Sequence, residues 1–537
     1  MKNQILILSI SIGLLCFTAC KNKNSASSGK VFRYNMGAGI TSLDPAFSKD
    51  QATMWADNQI FNGLVQVNDQ LEVQPCIAKS WEISADAKQY TFHLRDDVFF
   101  HDDEEFKDEK GRKVVAADFV YSLNRLIDSA VASPGGWLFN GKISKENGFL
   151  ALNDSTFQIN LEVPFRPLMG LLTLQYCSVV PKEVVEKYGK DFRNHPIGTG
   201  PFKFKVWEEN NYLILVKNEN YFESVDGKKL PLIDGIKVSF INDKATEFEQ
   251  FAAGKLDFFS GIDPSIKDKI FTKNGDITEQ YKDKFNFEKG PYLNTEYLGF
   301  SQKDQKNKAL TNKFVRQAIN YGIDRQKLIT YLRNNIGKPA NAGIVPFGLP
   351  GFDPLKVNGY SYNPTKTKEL LIKAGYPNGK GLGEIKLFMN PTYIDLCTAI
   401  KKDLEQFGII ITLENVPPAF LRESMRNNTA GFFRGSWIGD YPDAENYLAL
   451  FYGGYEAPPN YTFFKNAQYD KLYEQLISMP DISKANEIIH QMENIILDEA
   501  PIVPLYYDEV ARFTSKRVKN LPLNAMNLLV LKSVELD

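Results

Sequence analysis

Between Leu396 and Leu413 the chain switches hydrophobic period, and that switch constrains the fold more than any other feature. Leu396, Ala399, Ile400, Leu404 and Phe407 recur at three- and four-residue steps, Gly408 follows, and Ile409 to Leu413 is a β-branched apolar run. Such spacing lines one face of a helix, a glycine just beyond it accepts the left-handed cap conformation, and β-branched residues prefer a strand. A helix halted and answered by a strand is a unit of an α/β layer. Tyr90 to Arg95 alternates apolar and polar residues, and Tyr212 to Val216 is a second strand-like run. Helices gather in the second half. Ala485, Ile488, Ile489, Met492, Ile495 and Ile496 keep helical spacing until Pro501, and Asn363-Pro364 sets a cap and first-turn proline before Leu370, Leu371 and Ala374, with Gly375 and Pro377 beyond. With 537 residues, 43% of them hydrophobic, the chain can fill several cores. No Pro/Gly linker, tandem repeat or internal low-complexity tract divides it, so domain limits are expected to be interleaved or short-hinged.

The first twenty residues read as a signal rather than as fold. Lys2 supplies a positive start, and Ile5 to Phe17 is an apolar run of thirteen residues ending in Thr18-Ala19-Cys20. A permanent span needs about twenty apolar residues, so this run marks a signal peptide. The small residues before Cys20 resemble a bacterial lipobox, whose cysteine is acylated. Phe17 departs from the usual Leu three places before the cysteine, and Cys16 is a second, poorer candidate. The alternative is an ordinary secretory signal with an incidental cysteine. Residues 21–30, rich in Ser, Asn and Lys, read as a flexible tether. Lys21-Asn22-Lys23 gives no acidic cue for surface display, so the expected location is periplasmic, lipid-anchored to a membrane.

Lys and Arg number 63 against 65 Asp and Glu, a formal charge of -2. No basic excess exists to neutralise a phosphate backbone, which argues against a nucleic-acid partner. Beyond the leader, Cys20, Cys76, Cys177 and Cys397 show no CxxC or Cys/His spacing, and the last three are expected to be buried free thiols, although one disulfide among them is permitted. The four histidines, His93, His101, His195 and His490, are scattered, so neither a metal site nor a cofactor is expected. Gly375 to Gly381 lacks the spacing and hydroxyl of a phosphate loop and reads as a turn.

Two carboxylate clusters remain. His101-Asp102-Asp103-Glu104-Glu105 reads as a solvated loop. Gly439-Asp440-Tyr441-Pro442-Asp443-Ala444-Glu445 differs, because Phe432, Phe433 and Trp437 precede it and Tyr447, Phe451 and Tyr452 follow. Acids among aromatics fit either a structural turn or a site, since a carboxylate in a water-poor cleft attracts a cation strongly.

Gly435-Ser436-Trp437-Ile438-Gly439-Asp440-Tyr441-Pro442-Asp443 resembles the motif of oligopeptide- and dipeptide-binding proteins, the extracytoplasmic solute-binding family 5 of peptide and nickel ABC importers. Further landmarks fall in the family's order: Ser42-Leu43-Asp44-Pro45, Gln59 to Val65, Ile77 to Ser84, Tyr90 to Asp102, Pro196 to Phe202 and Val315 to Arg325. The resemblance spans roughly residues 32 to 537. It implies an α/β, two-lobed periplasmic-binding-protein-like fold (type II, cluster C) with an extra inserted domain. Lobe one is then assigned to 31–50, 196–295 and 506–537, the extra domain to 51–195, and lobe two to 296–505. The resemblance also implies that Asp440 holds a peptide's α-ammonium, that main-chain groups at Ile40, Ser436 and Ile438 pair with the peptide backbone, and that Trp437 walls the site. Arg434 is a candidate for a ligand carboxylate. Pro442-Asp443 departs from the more usual acid-Pro pair, which bears on the turn. The implied function is a monomeric, non-enzymatic substrate-binding component that delivers peptides to an ABC permease in the inner membrane. Alternatives are an oligosaccharide, haem or metal chelate on the same fold. A secreted glycosidase would need Asp440 and Glu445 as paired acids about 5 to 9 Å apart, and a sensor would need a further DNA-binding or membrane-spanning domain.

Overall fold

The computed structural model describes residues 29–261, 263, 265–304 and 307–537, so the leader and the lipidation candidate Cys20 lie outside the described residues. Strand β1 (Val31–Asn35) precedes helix α1 (Gln51–Ile60), whose start is fixed by Asp50, its carboxylate accepting the Thr53 amide at 3.0 Å. Next come β2 (Ala78–Ile83), β3 (Gln89–Leu94), β4 (Phe149–Asn153) and β5 (Thr156–Asn160), an antiparallel sheet in the order β2-β3-β5-β4. The alternating segment is β3, which buries Tyr90, Phe92 and Leu94. Strands β6 (Phe202–Glu208), β7 (Tyr212–Lys217) and β8 (Gly235–Ser239) then return to β1, which lies parallel to β8, in a sheet ordered β1-β8-β7-β6. Both sheets share one hydrophobic core, from Phe32 through Phe92 and Phe157 to Leu213 and Ile236, and the C-terminal Leu529, Leu531 and Val534 close it. The segment 51–195 thus has a sheet of its own within a common core.

The rest builds a seven-stranded mixed sheet. Its parts are β9 (Phe258–Ser260), β10 (Phe285–Phe300), helix α2 (Pro364–Lys373), β11 (Glu384–Met389), helix α3 (Ile394–Glu405), β12 (Ile410–Asn415), β13 (Phe432–Ile438), helices α4 (Glu445–Leu448) and α5 (Ile482–Glu499), and β14 (Ile502–Ser515). The strand order is β9-β14-β10-β13-β11-β12, and the two-residue strand Lys338–Pro339 also pairs with β14. The period switch in the sequence is α3 followed by β12: Leu396, Ile400, Leu404 and Phe407 are buried, Gly408 has φ 78°, and β12 lies parallel to β11. Asn363 caps α2 through the Lys366 amide at 2.9 Å, and α5 buries Ala485, Ile488, Ile489, Met492 and Ile496.

Strands β10 and β14 pair along most of their lengths, and they pass from one core to another. Phe285 and Phe513 belong to a small core with Phe248 and Phe259, whereas Leu298, Val503 and Leu505 enter the core of α2 and α3. Between Pro291 and Thr295 the register slips, opposite Glu509 and Tyr507. The ladder is thus interrupted where it passes between the two cores. Cys76, Cys177 and Cys397 are buried free thiols, as the sequence predicts. One expectation needs correction. His101 is not part of a solvated loop: it is buried, its Nε2 lies 3.0 Å from the Gly200 carbonyl, and burial lowers its pKa to about 4. Only the acids beside it face solvent, where Glu104 and Glu105 meet Lys187. Among the described residues no helix is long and apolar enough to cross a membrane, and no group of three or more His, Cys, Asp or Glu side chains could hold a metal ion.

Candidate functional site

Strand β13 carries the acidic motif to the protein's interior cleft. It pairs antiparallel with β10 from Phe432 opposite Phe300 to Ile438 opposite Asn294, while its other edge meets β11 only at Phe433. From Arg434 to Ile438 that second edge has no strand partner among the described residues. The Gly439 amide donates to the Leu293 carbonyl at 2.7 Å. Strand backbone alternates direction, so Ser436 and Ile438 turn their main-chain groups to the unpaired edge. Gly439 is needed at the strand's end, because a Cβ there would lie 2.9 Å from the Tyr447 hydroxyl, which donates to the same Leu293 carbonyl at 2.7 Å.

Beyond Gly439, one amide side chain organises the turn. Asn446, 5% exposed on α4, accepts the Trp437 indole N–H at 2.8 Å and the Asp440 amide at 3.1 Å through Oδ1. Its Nδ2 donates to Asp440 Oδ2 at 3.2 Å. Trp437 and Asp440 are thereby held to one anchor. The Asp440 residue is exposed to the cavity, and partial desolvation by the protein around it raises its pKa above the ordinary 3.8 while the Asn446 hydrogen bond acts against that rise.

The cavity at Asp440 measures about 320 Å³. Ile438, Gly439 and Asp440 form one wall, and Gln51, Met54 and Trp55 of α1, with Thr173, Gln175, Tyr292, Met526 and Leu528, form the others. A second cavity of about 300 Å³ shares Gln51, Trp55 and Tyr292 with it and reaches Lys244, Glu247, Arg333, Asp508 and Glu509. Together the two make a cleft of the size that holds a small organic ligand. A larger opening of about 540 Å³ touches the first cavity at Val67, Thr173, Gln175 and Leu528. Two of its amides serve the framework: Gln59 donates to the Trp55 and Leu529 carbonyls and Gln66 to the Pro75 carbonyl. The Asp440 cavity is the better candidate because it adjoins the unpaired edge of β13, which the larger opening does not.

The six residues named from sequence separate on this geometry. Asp440 and Ile438 line the cavity. Ser436 lies two residues along the free edge, and Trp437 packs on the core beside it while bonding to Asn446. Ile40, 8% exposed in the turn after β1, borders neither cleft cavity. Arg434 needs correction as a partner for a ligand carboxylate. It is 6% exposed, forms an ion pair with Glu296, and sits 3.1 Å from the Tyr393 ring centroid. Glu296 lies diagonally across the β10–β13 ladder on the same face, so the guanidinium is compensated inside the protein. The glycosidase pair is also not assembled: Glu445 is buried and bonded by the Tyr441 and Tyr473 hydroxyls, away from the cleft. Asn446, Trp55 and Tyr292 were not foreseen. Only Asn446 carried a signal, a polar residue inside the aromatic-flanked acidic segment.

Comparison with known proteins agrees with this architecture. The dipeptide-binding protein DppE of Bacillus subtilis is 26% identical over 98% of this chain and 97% of its own, and heme-binding protein A of Haemophilus influenzae is 27% identical over 95% of each. The periplasmic binding protein DppA of Helicobacter pylori, solved with the peptide STSA, superposes with a TM-score of 0.76 at 25% identity, covering 94% of this chain and 98% of that one. The fold is accordingly the two-lobed binding-protein fold of the peptide-binding type. Residues 72–459 match the bacterial extracellular solute-binding proteins, family 5 Middle, and the chain belongs to that family.

Proposed function

We propose that this protein captures peptides between its lobes and delivers them to an ABC permease, moored to a membrane on the periplasmic side through an acyl chain on Cys20. The observation that carries the reading is the Asp440 carboxylate, held by Asn446 in a cavity whose walls come from distant parts of the chain, beside the unpaired edge of β13. An α-ammonium placed on Asp440 leaves the peptide backbone beside that edge, where main-chain hydrogen bonds read length and polarity while tolerating varied side chains. The relative named for dipeptide binding and the solved complex with STSA support the same ligand class. A carboxylate favours a cationic terminus over haem, whose propionates are themselves anions. The mooring rests on the apolar run before Cys20.

Calorimetric titration of tri- to pentapeptides tests the ammonium site. Asp440→Asn is expected to weaken binding about tenfold to a hundredfold, the worth of a charge-assisted hydrogen bond of about 1.5–3 kcal/mol. N-acetylated peptides should lose as much against the wild type. Undiminished affinity in either arm would remove Asp440 from that role.

A further inference from the structure

The second cleft cavity has a charge arrangement unsuited to a ligand carboxylate. Two cations border it, and each is already neutralised: Lys244 Nζ lies 2.9 Å from Glu247, and Arg333 forms an ion pair with Asp508 while donating Nε to the Ile336 carbonyl at 3.0 Å. Glu509 is left over. It accepts the Gly337 amide at 2.7 Å and has no cation within 4.0 Å among the described residues. In the first cavity Asp440 likewise has no ion pair within 4.0 Å among the described residues, and the other two charges on that lining, Lys49 and Asp50, are opposite in sign, so the carboxylate remains in excess. Trp55 and Tyr292 line both cavities, so aromatic surface lies between the two carboxylates.

We infer that the second cavity is a subsite for a basic group, and that Glu509 selects peptides carrying a Lys or Arg side chain over those carrying an acid. The inference rests on the peptide reading above and adds the ligand's charge to it. A peptide in this cleft meets one uncompensated carboxylate at Asp440 and a second at Glu509, so one cation satisfies only half of the site. Aromatic faces beside the path add cation–π attraction for an ammonium or guanidinium and none for a carboxylate. Closure deepens the discrimination, because an acid side chain brought to Glu509 would be desolvated next to a like charge.

The test is calorimetry on pentaalanine peptides with Lys, Arg, Gln or Glu placed singly at positions two to five, each with a free and an amidated C-terminus. At one position Lys and Arg should bind about tenfold or more tighter than Glu, and amidation should not weaken the complex. In Glu509→Gln, which keeps an acceptor for the Gly337 amide, the Lys-to-Glu ratio should collapse towards one. Wild-type ratios near one at every position, or a preference unchanged in Glu509→Gln, overturn the inference and leave peptide capture standing. Failure of every peptide to bind the wild type overturns peptide capture as well. An unaltered melting temperature for Glu509→Gln confirms that the comparison is between folded proteins.

Discussion

At the scale of single residues, one buried carboxylate away from the cleft ties stability to pH. Glu493 of α5 is fully buried, with the Ile344 amide 3.0 Å from its Oε2, and desolvation pushes its pKa from 4.5 to about 8. Gly343, at φ 93°, makes room, since a Cβ there would lie 1.5 Å from the same oxygen. The folded state therefore holds a proton that the unfolded chain releases above pH 4.5. Stability from this group is fully present below that pH and is lost as pH rises towards 8, with a slope of about 1.4 kcal/mol per pH unit. Glu493→Gln should remove that slope, so the variant gains on the wild type from pH 5 to 8 and holds a constant margin above. Parallel denaturant-derived stability profiles for the two proteins would refute the buried-proton account. Residue-scale legibility was uneven for a related reason. Asp440 stood out because its aromatic surroundings are adjacent in sequence, whereas Arg434 was misread because its neutralising partner Glu296 lies 138 residues away. No local pattern announces such a pairing.

At the scale of elements, β13 is the feature on which the proposed binding mode depends. Its Ser436 and Ile438 main-chain groups face the edge that β11 leaves uncovered beyond Phe433. Proline at an edge position that donates nothing to the ladder is tolerated by a strand and abolishes only the outward amide. Ser436→Pro should accordingly melt within a few degrees of the wild type and bind peptides about tenfold or more weakly, the loss of one main-chain hydrogen bond plus the exclusion of the strand that made it. Methylating the ligand amides one at a time should reproduce the loss at a single position. A variant that binds normally would show that the ligand does not add to this edge. The elements themselves were the most legible level. The cap of α2, the apolar stripe of α5 and the switch from α3 to β12 all follow from local spacing and end-residue chemistry. Strand order was not, because β10 joins β13 and β14 across long sequence separations and no short-range periodicity encodes which strands meet.

At the scale of the whole molecule, the same long pairing offers a place for the proposed closure on a ligand to act. Strands β10 and β14 run from the core of Phe248 and Phe513 into the core of α2 and α3, and their ladder slips between Pro291 and Thr295. Tyr292 lies within that slip and lines both cleft cavities, so bending there changes the cleft directly. A ligand shifts such an equilibrium only by binding one state better than the other. On the peptide-capture reading such a differential arises if the peptide contacts both the Asp440 side of the cavity and Met54 and Trp55 of α1, which line the same cavity, more fully once they approach. Small-angle scattering should therefore give a smaller radius of gyration at saturating peptide than without it. Asp440→Asn at the same peptide concentration should scatter like the unliganded protein, and should contract once peptide is raised to saturate it. An unchanged radius at concentrations that calorimetry shows to be saturating would mean that the cleft is preformed, and would confine the register slip between Pro291 and Thr295 to a static role.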